Sequence, residues 1–251
     1  VYYQVFALNF NTERGSYTCT VTKANMPSPS VTGNSKTYNG TALTCDGGTW
    51  TNVPSGSTIT YSTTNGSGYS STKPTRTDAG TTTVYYKITN DNYNDFTGSF
   101  NCTVNKATCS LTLSETSGTL SYATSANTKS FTVTKSSACG ALSVATSANG
   151  VATASVSGTT VTMRSTSKVG SATITVTSEE TTNYKAASAT YALTVNCSAG
   201  YYSASGTCTV CAAGTYTSSA NTAASCTNVN KGCYAAGTGS TSSCPNKCPG
   251  G

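Results

Sequence analysis

Apolar and polar residues alternate with a period of two along several short stretches. Over residues 84–89 the alternation sets Val84, Tyr86 and Ile88 on one face, and over 99–105 it sets Phe100, Cys102 and Val104 on one face. These are half-buried strands. Turn signals break the chain between such stretches: Asn39-Gly40, Asp46-Gly47-Gly48, Asn65-Gly66, Asp78-Ala79-Gly80 and Asn149-Gly150. Short strands punctuated in this way predict β-sandwiches.

The pattern also repeats. The first 24 residues, from Val1 to Ala24, recur without a gap as Val84 to Ala107, with 12 of 24 positions identical, among them Gly15/Gly98 and Cys19/Cys102. A weaker third copy places Asn183-Tyr184 against Asn92-Tyr93 and the run from Thr190 to Asn196 against Ser99 to Asn105, with Leu193 standing where Cys102 does. A half-cystine and a leucine both suit an inward position. Each copy reads as the closing strand pair of an antiparallel domain, with Lys-Ala as the handover to the next. The expected division follows: 1–24 as the closing strands of an upstream repeat, 25–107 and 108–196 as complete sandwiches, and 197–251 as a cysteine-rich module continuing past the end.

Composition narrows the chemistry. The chain of 251 residues holds 52 Thr and 37 Ser, 22 charged residues and no histidine. Without His the usual general base and the commonest metal ligand are absent, and strand-favouring Thr, Val and Tyr outweigh helix formers. The expectation is an all-β, non-enzymatic protein with no cofactor. The net charge of +6 comes from 11 Lys and 3 Arg scattered singly, which makes no nucleic-acid stripe. No apolar run approaches the roughly 20 residues of a membrane helix.

Twelve cysteines, seven of them after residue 196, predict a disulfide framework and an extracellular setting. Cys45 and Cys102 share one unit and are expected to pair across its sheets. Cys109 and Cys139 are the two in the next. Consecutive pairing in the tail gives Cys197–Cys208, Cys211–Cys226 and Cys233–Cys244, although spacing leaves other tail connectivities open. Cys19 and Cys248 remain, as unpaired or intermolecular thiols: the partner of Cys19 is expected in strands upstream and that of Cys248 downstream. A zinc site built from Cys208, Cys211, Cys244 and Cys248 would leave eight thiols to explain, and no βαβ pattern surrounds the CxxC to suggest a redox centre.

Other candidates are weighed against plainer roles. Trp50 reads as core or edge packing in preference to an exposed sugar-stacking ring. The oxygen-rich Asn90-Asp-Asn-Tyr-Asn-Asp95 suggests calcium, but Asp91 and Asp95 correspond to Leu8 and Thr12 in the first copy, which favours a solvated loop with Asx-turns. Glu179-Glu180 reads as a loop pair. Asn39, Asn65, Asn101 and Asn196 open N-glycosylation sequons, of which about seven would arise by chance in so hydroxyl-rich a chain. Lys–Asn isopeptide bonds have both residue types available, yet nothing selects a pair.

Tyr38-Asn-Gly40, Ile59-Thr-Tyr-Ser62, Thr77-Asp-Ala-Gly-Thr81, Val84-Tyr-Tyr-Lys87, Asn92-Tyr93 and Cys102-Thr-Val-Asn-Lys-Ala107 resemble the MBG-type repeats of bacterial surface proteins. Ser130-Phe-Thr-Val-Thr134, Gly150 to Val156 and Gly170 to Val176 resemble the bacterial Ig-like group 2 domain of invasin- and intimin-like adhesins. Cys197-Ser-Ala-Gly-Tyr-Tyr202, Cys208-Thr-Val-Cys211-Ala-Ala-Gly-Thr-Tyr216 and Cys226 resemble the GCC2/GCC3 ephrin-receptor-like module. These resemblances imply tandem Ig-like β-sandwiches followed by a small disulfide-rich module, in a secreted cell-surface stalk, adhesin shaft or self-assembling fibre. The implied partners are other copies of the chain or adjoining modules, and host or cell-surface glycans, without nucleic acid or a membrane span. The alternative is a carbohydrate- or protein-binding surface module. Within the fibre reading, a neighbour would complete residues 1–24 by strand addition, an idea that finding 1–24 paired only with 25–251 of their own chain would remove.

Overall fold

The computed structural model describes residues 1–249, so the last two residues of the 197–251 module lie outside it. The protein is all-β: among the described residues there is no helix. It divides into two compact units, Val1–Lys106 and the chain from Ala107 onward.

The first unit holds one sandwich, preceded by a small hairpin. Its main sheet runs in the order Asn34–Thr37, Phe96–Asn105, Gly80–Thr89, Thr58–Ser62, with the first of these parallel to Phe96–Asn105 and the others antiparallel. Gly80–Thr89 and Phe96–Asn105 bury alternate residues, so Val84, Tyr86, Ile88, Phe100, Cys102 and Val104 face inward and are buried. Two-residue ladders, Ser30–Val31 with Trp50–Thr51 and Leu43–Thr44 with Thr75–Arg76, supply Val31, Trp50 and Leu43 against that face. Burying each large side chain contributes roughly 1.5–3 kcal/mol, so this face accounts for much of the unit's cohesion.

The second unit contains a fuller sandwich. Taken in chain order its strands are Leu111–Leu113, Ser117–Tyr122, Thr128–Lys135, Leu142–Thr146, Ala152–Ser157, Thr160–Ser165, Gly170–Ser178 and Ala187–Cys197. The first, third, sixth and fifth make one sheet; the second, eighth, seventh and fourth make the other. That is the immunoglobulin strand order, with a split first strand whose second half lies parallel to the last. Phe131, Val161, Met163, Ile174, Val176, Tyr191, Leu193 and Val195 fill the space between the sheets. The Phe131 and Tyr191 rings stack 4.7 Å apart. Leu193 is as buried here as Cys102 is in the first sandwich.

Residues 198–249 continue the second unit as a stack of small rungs. A hairpin, Tyr201–Ala204 with Thr207–Val210, is followed by two-residue ladders, Thr215–Tyr216 with Thr227–Asn228 and Cys233–Tyr234 with Asn246–Lys247. Each rung turns on a glycine at φ near +80° just ahead of its first strand, Gly200, Gly214 and Gly232, a conformation that other L-residues adopt only with strain. Successive rungs hydrogen-bond to one another: Gly200 N–H donates to Thr217 O (2.9 Å) and Gly214 N–H to Ala235 O (3.0 Å). The stack is also bonded to the sandwich, since Cys208 N–H donates to Ser167 O and Val169 N–H to Gly206 O.

Candidate functional site

The sulfur chemistry is the most concentrated in the molecule. Five disulfides join Cys45–Cys102, Cys109–Cys139, Cys197–Cys208, Cys211–Cys226 and Cys233–Cys244. Cys45 follows a short edge strand and meets Cys102 in the middle of the main sheet, both fully buried. Five disulfides fit an oxidising, extracellular setting. Cys19 is a free, exposed thiol, and Cys248 a free, half-buried one. The thiols grouped above as a zinc alternative are therefore divided, with Cys208, Cys211 and Cys244 each in a different disulfide.

The free thiol at Cys19 lies just past a hairpin built like the buried one. Tyr2–Val5 pairs antiparallel with Glu13–Ser16, Tyr3 opposite Gly15 and Val5 opposite Glu13. In the sandwich Tyr86 lies opposite Gly98 and Ile88 opposite Phe96, the same register shifted by the repeat. The ring placement is shared too. A Cβ on Gly15 would collide with the Tyr3 hydroxyl end, and one on Gly98 with that of Tyr86. At both positions glycine leaves room for the tyrosine lying against it, a ring free to move at Tyr3 and held by the core at Tyr86. Exposure separates the copies: Tyr86 is 4% exposed and Tyr3 51%, Val104 is 1% exposed and Val21 91%. Among the described residues, nine of the eleven exposed large hydrophobics fall between Val1 and Val21. The hairpin pairs with itself and not with the strands of residues 25–249.

Each sandwich receives its incoming chain in the same way. Ala24 bridges Tyr93 in parallel, its N–H donating to Asn92 O (3.0 Å) while Asn94 N–H donates to Ala24 O (2.8 Å). Lys23 Nζ adds a bond to Asn90 O (2.9 Å). In the second unit Ala107 pairs with Tyr184 and Thr108 with Lys185, in parallel, and Ala107 N–H donates to Asn183 O (2.9 Å). Thus the alanine of Lys-Ala docks on an Asn-Tyr pair in both. The repeat flagged both dipeptides; that they meet was not legible, because the bonds are made by backbone. Lys-Ala closes the first two copies and Asn-Tyr sits in the last two, and that staggered recurrence was the available signal.

The remaining candidates have structural duties. Trp50 is half-buried, edge-on to Tyr86 with ring centroids 4.9 Å apart, and its indole N–H donates to Asp46 O (3.0 Å). The Asn90–Asp95 loop contains an Asx-turn, Asn92 N–H to Asn90 Oδ1 (2.9 Å), and the Asn90 amide reaches Ser55 O and Ser57 Oγ (3.1 Å each). Asp91 is exposed, and Asp95 pairs with Lys87 at 2.7 Å. That hydrogen bond from Lys87 holds the Asp95 carboxyl below the usual carboxylate range. Burial pushes the Tyr86 phenol up. Glu179 and Glu180 are exposed. Asn39, Asn65 and Asn101 are exposed as well, whereas Asn196 is half-buried in a strand paired with Ser121. An open groove of about 580 Å³ on the outer face of the first sandwich is lined by Tyr69, Tyr85, Lys87 and Asp95. Among the described residues no group of acidic, Cys or His side chains is placed to hold a metal, and no helix is long and apolar enough to cross a membrane.

No family model matches the chain, and no curated protein matches it. Similar solved structures include a titin fragment of three immunoglobulin domains, 15% identical with a TM-score of 0.28, over 68% of this chain and 66% of that one. An endo-fucoidan hydrolase of glycoside hydrolase family 107 is 13% identical with a TM-score of 0.27, over 68% of this chain and 29% of that one. The cadherin-like domains of zebrafish RET are 10% identical with a TM-score of 0.24, over 64% and 46%. The chain thus spans about a third or less of the hydrolase's length. Scores this low carry no inference about function. The immunoglobulin-type fold of the second sandwich stands on its own strand order.

Proposed function

We propose that this chain is a non-catalytic, extracellular structural segment: part of a surface stalk, adhesin shaft or fibre assembled from sandwich modules of the repeat families it resembles. The repeated handover carries the reading. The same Lys-Ala strand end is stitched to an Asn-Tyr pair at the entry to each sandwich, so tension along the chain meets backbone hydrogen bonds and then a disulfide-closed core. The hydroxyl-rich surface carries few charges, which limits repulsion between laterally packed copies.

Mechanical pulling of the oxidised chain from its two ends tests the proposal. Each sandwich should give a distinct unfolding event. Reduction should add about 190 Å of extension at the Cys45–Cys102 loop and about 100 Å at the Cys109–Cys139 loop, at roughly 3.5 Å per released residue. Extension without discrete resistance would overturn the proposal. So would a glycan array on which the chain binds and Trp50→Ala abolishes binding.

A further inference from the structure

The N-terminal hairpin carries an apolar face that none of the described residues covers, and the first sandwich holds a template for the cover. In the intact copy, Cys102, Thr103 and Val104 are flanked by Thr82, Thr81 and Gly80 on one side and by Asn34, Ser35 and Lys36 on the other. The equivalent Cys19, Thr20 and Val21 have neither neighbour and adopt no strand. The buried Val84, Tyr86, Ile88 and Phe100 correspond to exposed Val1, Tyr3, Val5 and Tyr17. Tyr17 N–H donates to Val1 O (3.0 Å), so even the rung matching Val84–Phe100 is formed. The hairpin thus holds the backbone register of a sandwich wall, with its inner side facing water.

We infer that residues 1–24 are a docking surface for a polypeptide segment of the same repeat type as residues 25–83, and that docking closes a disulfide between Cys19 and a half-cystine at the position Cys45 holds. The occupant follows from the template. In the intact sandwich, residues 25–83 supply every strand and apolar side chain laid on the hairpin face: Asn34–Thr37 beside it, Thr58–Ser62 across the sheet, and Met26, Val31, Leu43 and Trp50 over it. A second copy of this chain is a poor occupant, because its residues 25–83 are already engaged by its own hairpin. Closing the bond oxidises two thiols to one disulfide, with two protons and two electrons passing to a disulfide oxidant such as oxidised glutathione. This reaches beyond the shaft reading, which rests on the handovers and stands or falls separately.

The test fuses a copy of residues 25–83 directly ahead of Val1 in the full chain, marked by Thr41→Ser so that its peptides are distinguishable, and refolds it in a glutathione redox buffer. A sixth disulfide joining Cys19 to the marked segment is expected in a non-reduced digest. With Cys45→Ser in the added copy, docking without the bond should still slow alkylation of Cys19 by about tenfold or more against the unfused chain, since buried thiols are inert. The five resident disulfides report that the rest has folded. Alkylation of Cys19 at the same rate with and without the added segment overturns the inference. So does an unfused chain that protects the hairpin by forming a Cys19–Cys19 dimer, which would make a second copy the occupant.

Discussion

Replacing both Cys45 and Cys102 with alanine should destabilise the first sandwich by an amount set mostly by loop closure. The bond joins residues 57 apart, and the chain-entropy relation for a loop of that length gives about 4 kcal/mol. A small domain has only about 5–15 kcal/mol in total, so the loss is a large share. The assay is supplied by the protein: Trp50 is the single tryptophan, and its ring lies against Tyr86 inside this core. Its emission therefore follows this sandwich alone through a urea titration. With a slope of about 1–1.5 kcal/mol per M for a unit this small, the midpoint should fall by about 3 M. A fall of less than about 0.5 M at unchanged slope would refute the reasoning, because the closed loop would then not be what limits the unfolded chain.

Other outcomes follow from single contacts. Gly98→Ala pushes a methyl into the Tyr86 ring, which Trp50, Phe96 and Phe100 hold in place, and should cost about 1–3 kcal/mol in the same titration; Gly15→Ala, facing the half-exposed Tyr3, should leave stability unchanged. Met163→Ala empties a fully buried site between the sheets of the second sandwich and should cost about 2–5 kcal/mol, read as a lower calorimetric transition temperature. The Asp95 carboxyl, lowered by Lys87, should titrate by NMR below an ordinary aspartate, and Lys87→Met should return it to the usual range. Because its folded value is the lower one, the pair's contribution is present above the unfolded value and fades as pH falls through the folded value, a small effect for two exposed groups.

What could be read in advance was whatever packing constrains side by side. Val84, Tyr86, Ile88, Phe100, Cys102 and Val104 alternate because one sheet face is buried, and the repeat made that pattern visible twice. The exchange of Cys102 for Leu193 marked an inward position for the same reason. The facing layer of the first sandwich left no trace: its ladders at Ser30–Val31, Leu43–Thr44, Trp50–Thr51 and Thr75–Arg76 are two residues long, too short to alternate. The third rung of the tail was hidden because Gly232-Cys-Tyr234 puts a half-cystine where the earlier rungs carry Tyr201 and Thr215. The groove beside Tyr69 and Tyr85 comes from residues far apart in sequence and had no local signal.

The central claim is that the Lys-Ala handover is a built part of each sandwich, and amide hydrogen exchange at Ala24 and Ala107 tests it most directly. Both N–H groups donate to carbonyls of the Asn-Tyr pair, Ala24 to Asn92 and Ala107 to Asn183. The account predicts exchange slowed about a hundredfold or more relative to an unfolded chain, equivalent to an opening free energy near 3 kcal/mol, at both alanines. Exchange at unfolded-chain rates at Ala24 and Ala107, while Gly80–Thr89 and Gly170–Ser178 stay protected, would contradict it.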